Sequence, residues 1–249
     1  MGAFERLGDR LEGKGRTILY ALGAVIALAV GYFLWSTWNE RRASEARHAL
    51  GQAIEIAEAN VSASPVPGST GLTFPSERER AQKAVEEFQK VAAKYPDPYR
   101  EVARYMAATQ LLTVDRNRGL SELEAIGRSG SREVAARAKF ALAQAKETDG
   151  QYDAAAALYN ELLKEKETVV PNDSVNLRLA SIYEKQGKKA EAADILFRLV
   201  EAARRAQGKD GKPAPQSAAA GEAAAKLQTL DPARYEQLPP EPRPGNLPF

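Results

Sequence analysis

The side chains that could carry out catalysis or hold a metal are scarce in this chain of 249 residues. It contains one histidine, His48, and no cysteine. Imidazoles and thiolates are common nucleophiles, general bases and zinc ligands, so their scarcity argues against sites of these kinds. His48 lies in a charged stretch with helical spacing, where a surface histidine is the simplest interpretation. We therefore predict no catalytic residue, no cofactor site and no metal site, and we expect a protein that is not an enzyme.

The glycines and the charges argue against two further classes of function. Neither G-x-x-x-x-G-K-[ST] nor G-x-G-x-x-G occurs, so the glycines do not form a phosphate-binding loop. The formal net charge is only +2, and the basic residues are not interleaved with aromatic residues as a nucleic-acid groove requires. We expect neither nucleic acid nor a small-molecule substrate as a ligand.

Two segments of the chain repeat each other with an offset of 37 residues: LAQAKETDGQYDAAAALYNELL at 142–163 and LASIYEKQGKKAEAADILFRLV at 179–200. The glycine of each segment predicts a tight turn, and the alanines predict a close approach of two helices. The residues that define the repeat are Leu142, Ala143, Gly150, Ala155 and Tyr159 in the first segment, and Leu179, Ala180, Gly187, Ala192 and Leu196 in the second.

This pattern of small and large residues around a glycine resembles the tetratricopeptide repeat (TPR), a helix-turn-helix unit of about 34 residues. The unit around 100–126 matches less well, because Val114 stands at the turn and Gly119 replaces the alanine. The resemblance implies a solenoid of about three to four repeats. Four large residues follow one another at intervals of 35, 36 and 37 and occupy the same position in successive second helices: Phe88, Leu123, Tyr159 and Leu196.

An uncharged run near the N-terminus, TILYALGAVIALAVGYFLWSTW at 17–38, predicts a membrane span. As a helix it would be about 33 Å long, enough to cross a hydrocarbon core of about 30 Å. Tyr20 near one end and Trp35 and Trp38 near the other are aromatic residues of the kind found at the headgroup boundary. A slight excess of Lys and Arg before the run favours a cytoplasmic N-terminus. The run is longer than the apolar region of a cleaved signal peptide, so an uncleaved signal-anchor is expected.

The fold class expected from these patterns is all-α, with one transmembrane helix followed by a TPR-like solenoid of helical hairpins. Alanine, leucine, glutamate and basic residues dominate the later chain, which shows no β-branched alternation. The helices are expected at about 77–95, 99–114, 117–128, 131–148, 151–166, 173–186, 189–206 and 217–230. The expected domains are a short cytoplasmic amphipathic segment at 1–16, the signal-anchor at 17–38, a TPR-like domain at 39–207 with a proline-rich loop at 61–76, and a short helix with a mostly unfolded, proline-rich tail at 208–249.

This layout of a short N-terminal segment, a single anchor and a repeat domain is similar to the YfgM-like family, an ancillary subunit of the SecYEG translocon. The resemblance implies a single-pass protein of the bacterial inner membrane with its C-terminal domain in the periplasm. It also implies protein partners, namely the translocon, periplasmic chaperones or envelope-assembly factors. The function expected from it is a membrane-anchored scaffold that assists secretion or envelope assembly.

TPR arrays usually bind a peptide or a helix along the concave face that their first helices form. The residues predicted by position to line such a partner-binding groove are Arg137, Gln144, Glu147, Ser174, Ser181, Glu184 and Lys185.

Three alternatives remain open at the level of sequence. The repeats could face the cytoplasm and organise a membrane complex there. The protein could be a mechanical envelope tether that uses its tail and a stalk, the helical continuation of the span expected at 39–60. It could also be an enzyme whose active site a single sequence does not reveal.

Overall fold

The structure is a computed structural model that describes residues 15–63, 71–165, 169–208 and 212–241. For residues 15–19, 21 and 22 the description covers the backbone alone. The chain divides into two compact units, Met1–Gln52 and Ala53–Phe249. The predicted amphipathic segment at 1–16 lies almost entirely outside the described residues.

The first unit contains most of helix α1, Gly15–Ala57, whose last five residues belong to the second unit. Large apolar side chains between 25 and 38 are exposed, and the Arg42 guanidinium lies 4.5 Å from the centre of the Trp38 ring. Among the residues that the structure describes, no helix combines the length and the apolar character needed to cross a membrane. The membrane span predicted at 17–38 stays a prediction.

The second unit is mainly helical, and the eight helices predicted in it begin and end within two residues of the predicted positions. Seven of them follow the predicted order: α2 Glu77–Lys94, α3 Tyr99–Val114, α4 Arg116–Ser129, α5 Arg132–Thr148, α6 Tyr152–Lys164, α7 Asn172–Lys185 and α8 Lys189–Arg205. Helix α9 covers Ala218–Leu230, and α10 is a single turn at Pro232–Tyr235.

The all-α prediction needs one small correction, inside the region predicted as a loop. Strands β1, Asn60–Val61, and β2, Thr73–Phe74, pair in parallel. The backbone N–H of Ser62 donates to the carbonyl of Phe74 over 2.9 Å, and the N–H of Asn60 donates to that of Leu72 over 3.2 Å. These bonds satisfy backbone groups that the prolines of the region keep out of a helix.

Both predicted glycine turns are present in left-handed conformation, with φ of 73° at Gly150 and 76° at Gly187. At the first turn, the N–H of Gln151 donates to the carbonyl of Lys146, and at the second, that of Lys188 donates to Tyr183. These bonds close the C-terminus of a helix in the Schellman arrangement, which a residue with positive φ makes possible. The turns join α5 to α6 and α7 to α8 as helical hairpins.

Helices α3 and α4 also form a helical hairpin, but no glycine lies at the turn between them. Asp115 alone connects the helices: its N–H bonds to Leu111, and its carboxylate accepts the N–H of Arg118 at the start of α4. Gly119 is buried where the helices cross, and a Cβ there would lie 2.7 Å from the backbone nitrogen of Leu112. Glycine is therefore required at this crossing, because any side chain would collide with the backbone of α3.

The core runs along the hairpins as adjoining apolar clusters. Its central positions are the four predicted by the repeat, Phe88, Leu123, Tyr159 and Leu196, and each is at most 1% exposed. Burial of one side chain of this size stabilises the folded state by about 2–3 kcal/mol. The regular intervals thus mark the residues around which successive hairpins pack.

The tail after α9 is ordered as far as residue 241, and the prediction that it is mostly unfolded is wrong for this part. Leu238 is buried against α8 and α9. The Arg204 guanidinium donates to the carbonyl of Pro239 over 2.6 Å and to the carboxylate of Glu241 over 3.1 Å. The remainder of the predicted tail, 242–249, lies outside the described residues.

Candidate partner-binding surface

The seven residues predicted to line a groove lie on the first helices of two successive hairpins. Helix α5 carries Arg137, Gln144 and Glu147, and α7 carries Ser174, Ser181, Glu184 and Lys185. Arg137, Glu184 and Lys185 are exposed, whereas Gln144, Ser174 and Ser181 are half-buried. Their role in partner binding stays a prediction.

Glu147 differs from the other six because it is only 8% exposed. Its carboxylate lies 3.0 Å from the Lys185 ammonium and 3.9 Å from the Arg178 guanidinium, both on α7. On its other side it accepts a long hydrogen bond of 3.5 Å from the Tyr159 hydroxyl of α6. Glu147 therefore joins three helices of two hairpins.

The ionisation of Tyr159 reflects this environment. Burial raises the pKa of its hydroxyl far above the usual value, and the negative charge of Glu147 raises the pKa further, whereas Arg178 opposes the rise. The hydroxyl consequently stays neutral and can donate to Glu147 throughout the physiological range.

Ion pairs between hairpins occupy much of the face predicted as a groove. Lys185 reaches back to Glu147 of α5 and also lies 5.6 Å from the centre of the Tyr152 ring. Glu184 lies 3.6 Å from the ammonium of Lys226 on α9. Arg137 pairs with Glu133 of its own helix over 2.9 Å. This face therefore links one hairpin to the next, and several of its charges already have partners.

Open space lies instead beside the second helices. A cleft of about 800 Å³, named here the α6–α8 cleft, is bounded by α6, α7, α8 and Arg234. Leu163, Leu179, Ile195 and Leu199 supply its apolar lining. Its polar lining consists of Asn160, Asp173, Asn176, Tyr183, Glu191, Asp194, Arg198 and Arg234.

A second cleft, the α4–α6 cleft, occupies the equivalent place one hairpin earlier and measures about 580 Å³. Its apolar lining comes from Leu120, Leu142 and Leu158, and its charged lining consists of Glu124, Arg128, Lys139, Lys146 and Glu161. Seven of its residues match lining residues of the α6–α8 cleft at an offset of 37: 139, 142, 146, 154, 157, 158 and 161. The repeat thus creates the same type of cleft twice.

Neither cleft was predicted from the sequence, although the repeat alignment contains their residues. Binding was expected on the first helices alone, and none of the seven predicted groove residues lines either cleft. The missed signal is the change in polarity between equivalent positions such as Lys146 and Tyr183. Core positions of a repeat keep their apolar character, so such a change indicates a surface position.

The described residues provide little for other chemistry. Within the described ranges there is no group of three or more histidine, cysteine, aspartate or glutamate residues that could hold a metal ion. His48 is exposed on α1.

Comparison with known proteins gives a match to one family. Residues 147–211 match the tetratricopeptide repeat family. Two crystal structures of the nearly identical TPR-like repeats of a candidate kinesin light chain from Podosopora anserina, one of them a point variant, are each 18% identical to this chain. The match in both cases covers 64% of this chain and 81% of the other, with a TM-score of 0.46. A search of curated protein sequences gives no match.

Proposed function

From the premise that this chain contains tetratricopeptide repeats, we propose that the protein is a non-catalytic scaffold that binds segments of other proteins. The observation that carries the proposal is the pair of clefts at equivalent places in successive hairpins. Sites that bind other molecules are typically concave, mainly apolar, and provided with a few polar groups that fix orientation. A cleft of this kind repeated along a rigid array suits a ligand that extends over more than one hairpin.

Site-specific photo-crosslinking tests this proposal. A benzophenone side chain would replace Ala157 in the α4–α6 cleft or Asp194 at the equivalent place in the α6–α8 cleft, one position at a time. Ala225 on α9 is an exposed helical alanine that lines neither cleft and provides the control. We expect irradiation of cells to give discrete protein adducts at 157 and 194 and only background at 225. Equal labelling at all three positions would contradict the proposal.

We further propose that residues 17–38 attach the scaffold to a membrane. The uncharged run supports this, and so do the described side chains within it. Val25, Ile26, Leu28, Val30 and Phe33 are all more than half exposed, although they point in different directions around α1. A helix that packs against one partner helix needs an apolar stripe, whereas lipid requires apolar side chains on all sides.

Extraction of membranes at alkaline pH tests the attachment. The double variant Ile26→Lys, Val30→Lys places two charges one turn apart within the run, and each charge costs about 3 kcal/mol in the centre of a bilayer. The control, Ser44→Lys with His48→Lys, has the same spacing on an exposed charged part of α1. We expect the natural chain and the control to stay in the membrane pellet and the first variant to be released. A natural chain found in the supernatant would exclude membrane attachment.

We also propose that the repeats lie on the outer side of a bacterial inner membrane. The support is the resemblance in layout to the YfgM-like family, which points to the translocon and periplasmic chaperones as partners. Digestion of the repeats by protease added to spheroplasts is the expected result, and protection would favour the cytoplasmic orientation. Affinity capture in mild detergent with mass spectrometry would then identify the partners, and capture of membrane background alone would contradict this assignment.

A further inference from the structure

The two clefts have the same framework but different charges. Lys146 of the α4–α6 cleft corresponds to Tyr183 of the α6–α8 cleft, and Lys139 corresponds to Asn176. On the second helices, alanines at 154 and 157 correspond to Glu191 and Asp194. At these four positions the α4–α6 cleft has two cations and two alanines, whereas the α6–α8 cleft has two neutral residues and two carboxylates. The one carboxylate on the second helix of the α4–α6 cleft is Glu161, which corresponds to Arg198.

The two lysines of the α4–α6 cleft differ in whether a carboxylate pairs with them. The ammonium of Lys139 lies 2.9 Å from the carboxylate of Glu165 and 3.9 Å from that of Glu161. Lys146 is half-buried, and among the described residues no carboxylate lies within ion-pair distance of its ammonium and no group accepts a hydrogen bond from it. Lys146 is thus a cation without a counterion in a partly apolar cleft.

The surroundings of Lys146 define what could pair with it. Leu142 lies one turn before it on α5, and Leu120 and Leu158 belong to the same cleft. Ala154 and Ala157 leave space above this apolar lining. A ligand group that fits these surfaces carries an aliphatic side chain for the leucines and a carboxylate for the ammonium.

We propose that the α4–α6 cleft binds a segment of a partner protein that presents an aliphatic side chain beside a carboxylate, with the carboxylate paired to Lys146. This inference rests on the scaffold function proposed above and names the chemistry of its ligand. The α6–α8 cleft does not share this preference, because its arginines already have counterions. Arg198 lies 2.5 Å from Asp194, and Arg234 lies 3.5 Å from the same carboxylate.

The natural repeat supplies the variant for the test. Lys146→Tyr introduces the residue that the next hairpin carries at the equivalent position, so the fold is expected to tolerate it. Lys189→Tyr is the matched control, because Lys189 is exposed at the start of α8 and lines neither cleft. Circular dichroism of both variants would verify that their melting matches that of the natural chain.

The probe is a library of linear 12-residue peptides displayed on phage and selected against the full chain in mild detergent. A selected peptide would then be synthesised with glutamate or with glutamine at its acidic position, and both forms titrated by fluorescence anisotropy. We expect the natural chain and Lys189→Tyr to bind the glutamate form roughly tenfold more tightly, as befits one charge-assisted hydrogen bond. For Lys146→Tyr we expect the two forms to bind about equally.

The possible outcomes separate this inference from the scaffold function. Selected peptides without a carboxylate, or a preference for glutamate that persists in Lys146→Tyr, would overturn the inference and leave peptide binding intact. Failure to select any peptide, together with no adducts at 157, would overturn both. Self-association that depends on Lys146, measured by light scattering, would assign the cleft to a second copy of the chain and would also overturn the inference.

Discussion

Glu147 is a charged residue that is only 8% exposed. A buried carboxylate is unfavourable unless charged or polar groups compensate for lost hydration. Here the compensation comes from two cations on α7, of which Lys185 is 48% exposed at its side chain. If the carboxylate lost its charge, water could still hydrate the partly exposed cations. If the cations were lost, water could not hydrate the buried carboxylate. Loss of the interaction therefore costs more free energy at Glu147 than at its partners.

Replacement of Glu147 by glutamine should lower the free energy of unfolding by about 1–2 kcal/mol, because the amide keeps the shape but loses two charged interactions. Glu184→Gln is the matched control: this residue is exposed and 3.6 Å from Lys226, so its loss should cost under about 0.5 kcal/mol. Chemical denaturation of both variants provides the measurement. A larger loss of unfolding free energy in Glu184→Gln than in Glu147→Gln would show that burial does not increase the contribution of Glu147 to stability.

Tyr159 predicts a dependence of stability on alkaline pH. Burial and the Glu147 charge raise its pKa in the folded protein, whereas an unfolded tyrosine ionises near pH 10. Its contribution is therefore complete below about pH 10, and it is lost as the pH rises from there towards the folded-state pKa. The natural chain should lose stability between about pH 10 and 11 faster than Tyr159→Phe, by up to about 1.4 kcal/mol per unit. Denaturation curves measured at pH 8 and 11 provide the test. Equal losses of stability in the natural chain and in Tyr159→Phe would contradict a raised pKa at Tyr159.

At the scale of elements, the helix crossings determine how closely each hairpin can close. The two glycine turns use a left-handed residue outside the helices, whereas the α3–α4 hairpin uses a glycine inside one. Gly119 permits a backbone approach that the alanines at 155 and 192 do not need. The unit that matches the repeat pattern least well therefore keeps its geometry by a different route.

Gly119→Ala should lower the free energy of unfolding by about 2–3 kcal/mol, since the new methyl group would collide with the backbone of α3. Gly221→Ala on α9 is the control, because nothing lies within 4 Å of a Cβ at that position. This control should raise the stability by about 0.5–1 kcal/mol through helix propensity. Thermal melting of the two variants should show shifts of opposite sign, and a neutral Gly119→Ala would mean that the crossing can relax.

Local patterns were sufficient to predict most elements. Helix positions and glycine turns follow from periodicity, alanine content and the 37-residue offset, all of which act within one hairpin. The strand pair at 60–61 and 73–74 was not predictable in this way, because its hydrogen bonds join the two ends of a proline-rich segment. The role of Glu147 was missed for a similar reason: its partners on α7 are more than thirty residues away.

At the scale of the whole second unit, the segment 231–241 closes the C-terminal end of the array. A stack of hairpins leaves an apolar face uncovered at its end, and repeat proteins cover that face with a capping element. Here Leu238 and Tyr235 cover the cluster around Leu227, and Arg204 holds the segment from α8. The proline content suggested an unfolded tail because composition does not reveal a single leucine that returns to the core.

Leu238→Ala should loosen this end alone. Truncation of a buried leucine costs about 2–3 kcal/mol, and repeat arrays transmit such losses mainly to the nearest neighbours. Hydrogen exchange should therefore accelerate in α9 by at least tenfold and remain nearly unchanged in α5 and α6. Pro240→Ala, at a position outside the buried core, is the control and should change neither. Uniform acceleration throughout the unit would indicate one cooperative block.

The candidate binding sites required the assembled molecule. Each cleft takes most of its lining from three consecutive helices, so no single segment of sequence reveals it. The concave face on which repeat arrays usually bind their ligands suggested the first helices, where the structure has ion pairs between hairpins. The sequence shows the charges of Lys146 and Glu191, but it does not show that each residue lines one of two equivalent clefts.

The contacts between turns have a consequence for the order in which the hairpins can be arranged. Arg116 at the start of α4 pairs with Asp149 at the next turn over 2.7 Å, and Asp153 at the start of α6 accepts a hydrogen bond from Gln186 at the following turn over 2.9 Å. A tandem duplication of the 132–164 hairpin would bring Asp153 against Asp149, two carboxylates with no cation between them. Duplications that lengthen the array at this point are therefore unfavourable at the new junction between hairpins. The contacts between turns thus favour one order of the hairpins.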